Sequence, residues 1–251
     1  MKSLISAIKL LTVIPIDTRN RIEPGRMELT LLCFPLVGML LGGICAVVMW
    51  AGAQVFPPAI AAALAVLALV VATGALHVDG LADTADGLFG GATRERKLEI
   101  MRDTRVGAFG IVAIVFLLGI KVLALASVAA NTKGSNRDIL VLFMTPVVGR
   151  WLILLAAGVC AYAREGEGTG RSAVDAARPS HFLIWLPLVA LLGWLCLGVG
   201  GLLMLGAVLA VVLAAILCIQ WEIGGMTGDT LGAVCEVGEM SFLLSFFIAT
   251  G

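Results

Sequence analysis

The sequence predicts an all-α integral membrane protein: a single polytopic domain over residues 1–251, built as a bundle of six to seven transmembrane helices with an N-terminal amphipathic segment. Three observations carry that expectation. Hydrophobic residues make up 60% of the chain and charged residues 14%, with a mean hydropathy of +1.06, whereas soluble domains hold roughly 45–50% apolar and 25% charged residues. The apolar residues gather into runs that match the roughly 20 residues needed to cross a hydrocarbon core. Lysine and arginine collect between those runs, mostly on one predicted side. The formal net charge of zero removes the basic excess on which nucleic-acid binding depends, so no nucleic-acid partner is expected.

The N-terminal MKSLISAIKLLTVIPI is broken by Lys9 and closed by Pro15. It has no small-residue cleavage site before the next apolar run, and it reads as an amphipathic helix at the membrane surface rather than a cleaved leader. Residues 29–56 form the first predicted span, ended by Pro57 and Pro58, and residues 59–76 the second. A long polar loop, 77–105, follows. The third span covers 106–130 and contains Lys121; the fourth covers 138–162 and contains Arg150. After the polar loop 162–180, a fifth span from 182 and a sixth ending near 221 are separated by glycines 198–201. The apolar tail from 240 is short, so the expectation is six spans plus a half-helix, or seven if that helix begins earlier.

This arrangement puts 13 of the 17 basic residues on one side, Lys133 and Arg137 on the other, and Lys121 and Arg150 within spans. The side rich in positive charge is expected to face the cytoplasm. No internal repeat of the transporter kind is visible. The six cysteines are scattered without metal-ligand spacing and read as small buried hydrophobes.

The chemistry is concentrated in LHVDGLADTADGLFGG, residues 76–91. Asp79, Asp83 and Asp86 are spaced i, i+4, i+7, which on a helix brings them within an arc of roughly 60°. Three carboxylates so close require a divalent metal, a cluster of arginine and lysine, or raised pKa values. Gly80, Gly87, Gly90 and Gly91 remove bulk beside that face. A second acidic segment, GGMTGDTLGAVCEVGE, aligns Asp229, Glu236 and Glu239 along a helix starting near Thr227. Hard oxygen donors of this kind suit Mg²⁺ or Mn²⁺.

Arg102, Arg105, Arg150 and Arg164 supply guanidinium forks that match phosphate oxygens. Arg150, near the middle of a span, is expected to pair with an acid or line a cavity. His77 lies two residues before Asp79, and His181 opens a span as an interfacial residue.

HVDGLADTADG, then RDTRVGAFG, then YAR with a glycine-rich loop, then GGMTGDTLGA followed by two glutamates together resemble the cobalamin synthase (adenosylcobinamide-GDP ribazoletransferase) family. LTVIP at 11–15 and FPLVG at 34–38 extend the likeness over essentially the whole chain. The resemblance implies a Mg²⁺-dependent enzyme of the bacterial inner membrane with its active site toward the cytoplasm. It would join the corrinoid phosphate of adenosylcobinamide-GDP to a ribose hydroxyl of α-ribazole or its 5′-phosphate, releasing GMP.

On that reading Asp79, Asp83, Asp229 and Glu236 hold one or two Mg²⁺, Asp86 or His77 is the general base, and Arg102, Arg105, Arg150 and Arg164 neutralise phosphates. Membrane lipid is an implied partner, while contact with other enzymes of the same pathway and a homo-oligomer are left open. The loop EGEGTG departs from the family's pattern, so no role is carried over to Glu165 or Glu167. Competing expectations are a CDP-alcohol phosphotransferase, whose aspartate spacings differ; a prenyltransferase, which calls for an aspartate-rich motif in each half and an aromatic pocket, where aromatics are only 6% here; and a cation transporter, which calls for acids inside the spans.

Overall fold

A computed structural model describes residues 2–16, 26–131, 136–166 and 170–250. Arg19, Arg21 and Lys133 of the charge pattern, and Glu167, lie outside the described residues. The helices, in chain order, are α1 (Lys2–Leu11), α2 (Met27–Leu31), α3 (Phe34–Ala53), α4 (Pro58–Ala72), α5 (Leu76–Gly90), α6 (Arg94–Ile100), α7 (Ala108–Asn131), α8 (Arg137–Val159), α9 (Arg171–Ala176), α10 (Pro179–Leu197), α11 (Val199–Ile223) and α12 (Gly228–Thr250). The described residues contain no strand, only an isolated bridge between Tyr162 and Met226. Among the described residues six helices, with α2 and α3 together counting as one, have the length and apolarity to cross a bilayer, and the protein is a multi-pass membrane protein.

Proline starts several of these helices because the first turn has no use for its missing N–H: Pro58 and Pro179 open α4 and α10. α8 and α12 form the enclosed centre of the bundle, whereas α7, α10 and α11 present Phe116, Trp194 and Leu203 outward. α3 and α8 meet backbone to backbone. A Cβ at Gly38 would lie 2.6 Å from the Pro146 carbonyl oxygen, the close approach that small residues give membrane helices. α1 lays Ala7 and Leu11 against α2 and α3.

Two predicted boundaries move. The second predicted span is only the 15 residues of α4, ending at Ala72, which joins the count, as a seventh, only together with α5; and the polar stretch after it is not a loop. Gly74 (φ +60°) and Ala75 (φ +59°) take the left-handed conformation, and the chain turns by 87° into α5. α5 therefore lies outside the six membrane-length helices and runs across the end of the bundle against α12 and α7. The apolar tail is no half-helix, since α12 begins at Gly228 and takes in the second acidic segment as its first turns.

The cysteine and histidine readings are also adjusted. Cys45 and Cys235 are buried, but Cys218 is exposed and the other three are half-buried. His181 is buried and accepts a hydrogen bond from the Arg178 backbone N–H at the start of α10.

Candidate active site

The site forms where α5 crosses the start of α12, and glycine permits the crossing. A Cβ at Gly80 would stand 2.7 Å from the Asp229 carbonyl oxygen, and one at Gly232 would stand 3.2 Å from the His77 backbone. This approach sets Asp79 and Asp83 beside Asp229. Thr227 and Thr230 fix the entry to α12 reciprocally: the Thr230 N–H donates to Thr227 Oγ1 at 3.2 Å, and the Thr227 N–H donates to Thr230 Oγ1 at 2.8 Å.

Arg164 reaches the same place from the segment after α8. The Ala163 N–H donates to the Met226 carbonyl and the Met226 N–H to the Ala161 carbonyl, both at 2.8 Å. Arg164 Nη2 then donates to Asp229 Oδ2 at 2.7 Å. Arg94 fastens this segment to the end of α11, with Nε on the Ile223 carbonyl at 2.8 Å and Nη2 on the Ala163 carbonyl at 2.7 Å. Nothing in the spacing of the sequence singles out Arg94, because its partners are backbone carbonyls more than 60 residues away.

Negative charge outweighs positive here. The side chains of Asp79 and Asp83 have no hydrogen-bonding or ion-pairing partner among the described residues. Burial, followed by the charges of Asp79, Asp229 and Asp86, pushes the Asp83 carboxyl up to about 7, against which Arg164 acts in the opposite sense. A cavity of about 330 Å³ opens beside the acids. Asp79, Asp229 and His77 line its polar side, and Leu10, Leu11, Phe34, Ile153 and Leu231 its apolar side.

Crowded carboxylate oxygens short of positive charge are a donor set that a hard divalent cation fits. Among the described residues no three His, Cys, Asp or Glu side chains form a ready-made metal cage. Mg²⁺ does not require one, because it binds through one or two carboxylates and fills its remaining positions with water and substrate phosphate.

Of the ten residues singled out in the sequence, Asp79, Asp83, Asp229 and Arg164 come together. The other six are placed elsewhere. Asp86 is buried and spends both oxygens on backbone, accepting from Gly107 N–H at 2.6 Å and Gly110 N–H at 2.9 Å, which ties α5 to the start of α7. Those two glycines are required, since a Cβ on either would run into the Asp86 carboxylate. The small residues of VGAFG were the available signal.

His77 accepts from Arg150 Nη2 at its Nδ1, 3.2 Å away, and burial with the nearby Arg150 and Lys121 charges holds its imidazole well below the usual range. Glu236 lies two turns deeper along α12 and pairs with Lys121. Arg150 is buried and pairs with Glu239, which Lys121 also contacts at 2.6 Å. Arg150 is thus the span arginine paired with an acid that the sequence suggests. Arg102 is exposed, and Arg105 folds back on Asp103 with bonds of 3.0 and 2.8 Å.

Comparison with known proteins gives one consistent result. The family model described as cobalamin-5-phosphate synthase matches residues 3–247. An adenosylcobinamide-GDP ribazoletransferase of Acetivibrio thermocellus is 34% identical over 248 residues, covering 99% of this chain and 98% of that protein. Proteins of the same name from Klebsiella pneumoniae strain 342 and Desulforamulus reducens are 35% and 38% identical, covering 98% and 94% of this chain and 99% and 92% of their own lengths. No solved structure matches.

Proposed function

Since the chain belongs to the cobalamin-5-phosphate synthase family, and is on that ground a transferase, we propose that it catalyses the adenosylcobinamide-GDP ribazoletransferase reaction. A ribose hydroxyl oxygen of α-ribazole, or of its 5′-phosphate, bonds to the phosphorus attached to cobinamide. The bond from that phosphorus to the bridging oxygen breaks, and GMP leaves with the second phosphate. The products are adenosylcobalamin or its 5′-phosphate. The observation that carries the reading at the level of the site is the under-compensated group of Asp79, Asp83 and Asp229, of which Asp79 and Asp229 line a ligand-sized cavity.

Phosphoryl transfer asks a protein for positioning, neutralisation of charge and an acceptor for the hydroxyl proton. Asp79, Asp83 and Asp229 are the carboxylates that would hold Mg²⁺, which when bound supplies the positive charge that phosphate oxygens need near these acids. Glu236 is less well supported in that role because Lys121 already neutralises it. Arg164 orients Asp229 and is the guanidinium that a diphosphate would find within this group.

Asp79, one of these three carboxylates and on the cavity wall, is the acceptor for the hydroxyl proton where Asp83 and Asp229 suffice to hold the metal. Asp86 and His77 are less well supported as bases, since Gly107 and Gly110 occupy the first and Arg150 the second. Arg102 and Arg105, at the exposed α6–α7 junction, would meet phosphate only after Arg105 leaves Asp103. The end of the bundle bearing the acids also bears Arg94, Arg96, Lys97, Arg102, Arg105, Arg164, Arg171 and Arg178. This supports a bacterial inner-membrane protein with the site toward the cytoplasm.

The test is GMP release by the purified chain from adenosylcobinamide-GDP and α-ribazole, with Mg²⁺ and with a chelator. Release that needs both substrates and the metal is the expected result. Release indifferent to chelation would remove Mg²⁺ from the reading, and metal flux into liposomes without GMP release would replace it with transport.

A further inference from the structure

α6 buries none of its residues fully, and its attachment to α11 is polar. Lys97 pairs with Glu222 in the last turn of α11. Arg94, the first residue of α6, spreads its guanidinium over two backbone carbonyls from segments 69 and 129 residues away: Nη2 donates to Ala163 at 2.7 Å and Nε to Ile223 at 2.8 Å. Ile223 ends α11, so its carbonyl is one of those that a helix leaves without an intrahelical donor, and a cation there also meets the negative end of the helix dipole.

The far side of this junction is the candidate active site. Beyond Ile223 the chain turns at Gly224 (φ +76°) and runs through Gly225 and Met226 into the Thr227–Asp229 entry to α12. Residues 161–163 lie against that turn backbone to backbone, since a Cβ at Gly225 would run into the Ala161 carbonyl. Arg164 follows directly, donating to Asp229 at 2.7 Å and, at 3.5 Å, to the carbonyl of Met101 just past the end of α6. α6 therefore meets residues 163 and 164 from both of its ends.

Resting on the transferase reading above, we propose that Arg94 is a positioning residue: its guanidinium fixes the junction of residues 161–164 with the α11–α12 turn, and so fixes where Arg164 stands against Asp229. Arg94 acts through Arg164, not on the substrate itself. Two carbonyls from different segments need two donors at a fixed angle, which a guanidinium has and an ammonium lacks. Misplacement by about 1 Å of a group that meets the transition state costs on the order of 10²-fold, so a contact outside the reaction centre can govern the rate. A plain helix cap would stabilise α11 and leave the kinetics per folded molecule unchanged.

A double-mutant cycle on the full chain in nanodiscs, read as GMP release corrected for the folded fraction, tests the assignment. Arg94→Gln is expected to lower kcat/KM for adenosylcobinamide-GDP on the order of 10²-fold and to raise its KM, while the KM for α-ribazole stays within about twofold. Arg164→Ala should lose at least as much, and the double variant no more than Arg164→Ala alone, because nothing is left to position. Arg94→Lys keeps the charge without the fork; it should fall between wild type and Arg94→Gln, and it supplies the same cycle should the glutamine variant not accumulate. Lys97→Met loosens α6 on α11 without touching Ala163 and should leave both KM values within about twofold.

Hydrogen exchange in the substrate-free protein reads the same contact without catalysis. The amides of Ala163 and Met226, which bridge the two segments, are expected to exchange faster in Arg94→Gln than in wild type. Additive losses in the cycle, an equal loss in Lys97→Met, or a fall in kcat with neither KM moved would overturn the assignment. Loosened amides in the variant with no GMP release from wild type would sink the transferase reading and leave the clamp standing. GMP release from wild type with the cycle additive and the amides unmoved would do the reverse.

Discussion

α12 carries acids at two depths, and the two groups are built on opposite principles. At its deeper level Glu236 and Glu239 face Lys121 and Arg150, two negative charges against two positive ones, all buried. At its start Asp229 joins Asp79 and Asp83 with Arg164 as the one cation among the described residues hydrogen-bonded to them, beside an open cavity. The deeper group is complete and therefore structural: buried ions survive in lipid when they are paired and hydrogen-bonded. The shallower group is incomplete, and groups held in unfavourable charge states are where chemistry is found. A carboxylate's meaning thus follows from what neutralises it more than from its place on a helix face.

The largest effect is expected from breaking the complete group. Lys121→Met leaves two buried glutamates to share Arg150 and should destabilise the fold by about 3–5 kcal/mol, seen as failure to accumulate or a sharply lowered melting temperature in detergent. Restoring balance with Lys121→Met plus Glu236→Gln should recover much of that loss.

Asp83→Asn is the opposite experiment. It relieves repulsion, so the melting temperature should hold or rise, while GMP release should fall on the order of 10²–10³-fold as for loss of an electrostatic group in a transition state. The same carboxyl makes stability depend on pH. Its ordinary value is 3.8 and its value in the fold about 7, so the folded state binds the extra proton. In chelator, the contribution is fully favourable below the lower value and is lost as pH rises through the upper one. Melting temperature should fall across that window, and Asp83→Asn or added Mg²⁺ should flatten the fall.

An intermediate effect is expected at Asp86, which sits among the open group's aspartates but is as fully committed as the closed one. Asp86→Ala should cost about 1.5–3 kcal/mol for each charge-assisted bond lost to Gly107 and Gly110. Asp86→Asn should cost less and keep most activity per folded molecule, measured as GMP release corrected for the folded fraction. Catalytic collapse in a stable Asp86→Asn protein would move Asp86 into the open group. The smallest effect is at Arg105, exposed and paired with Asp103 next door: Arg105→Ala should leave the melting temperature unchanged and the KM for the corrinoid within about twofold.

The membrane class and the convergence of the two acidic segments were readable in the chain because apolar run length and i, i+4 spacing are local properties. What separates the two groups is not local. Asp229 and Glu236 share a face at a spacing of seven, yet lie about 10 Å apart along the helix axis at 1.5 Å per residue, which moves one to the cavity and the other to Lys121. That lysine comes from α7, and no pattern within either helix links them. Asp86 continues the Asp79 and Asp83 series in spacing, and only the folding of the α6–α7 turn onto it gives its oxygens other work. The bend at Gly74 and Ala75 was hidden for another reason: it contains no proline, and an alanine in the left-handed region is a tertiary effect that propensity does not foresee.

The pairing of Lys121 and Arg150 with glutamates on α12 also has a bearing on biogenesis. During synthesis Lys121 of α7 leaves the ribosome 115 residues before Glu236, and Arg150 of α8 89 residues before Glu239, so each helix enters the bilayer with a cation whose counter-charge has yet to be translated. Insertion of the middle of the chain is therefore provisional, and α12 acts as its keystone. A chain halted before Gly228 should show α7 and α8 slipping from the membrane or being cleared by quality-control proteases, and release of the arrest should lock them in place.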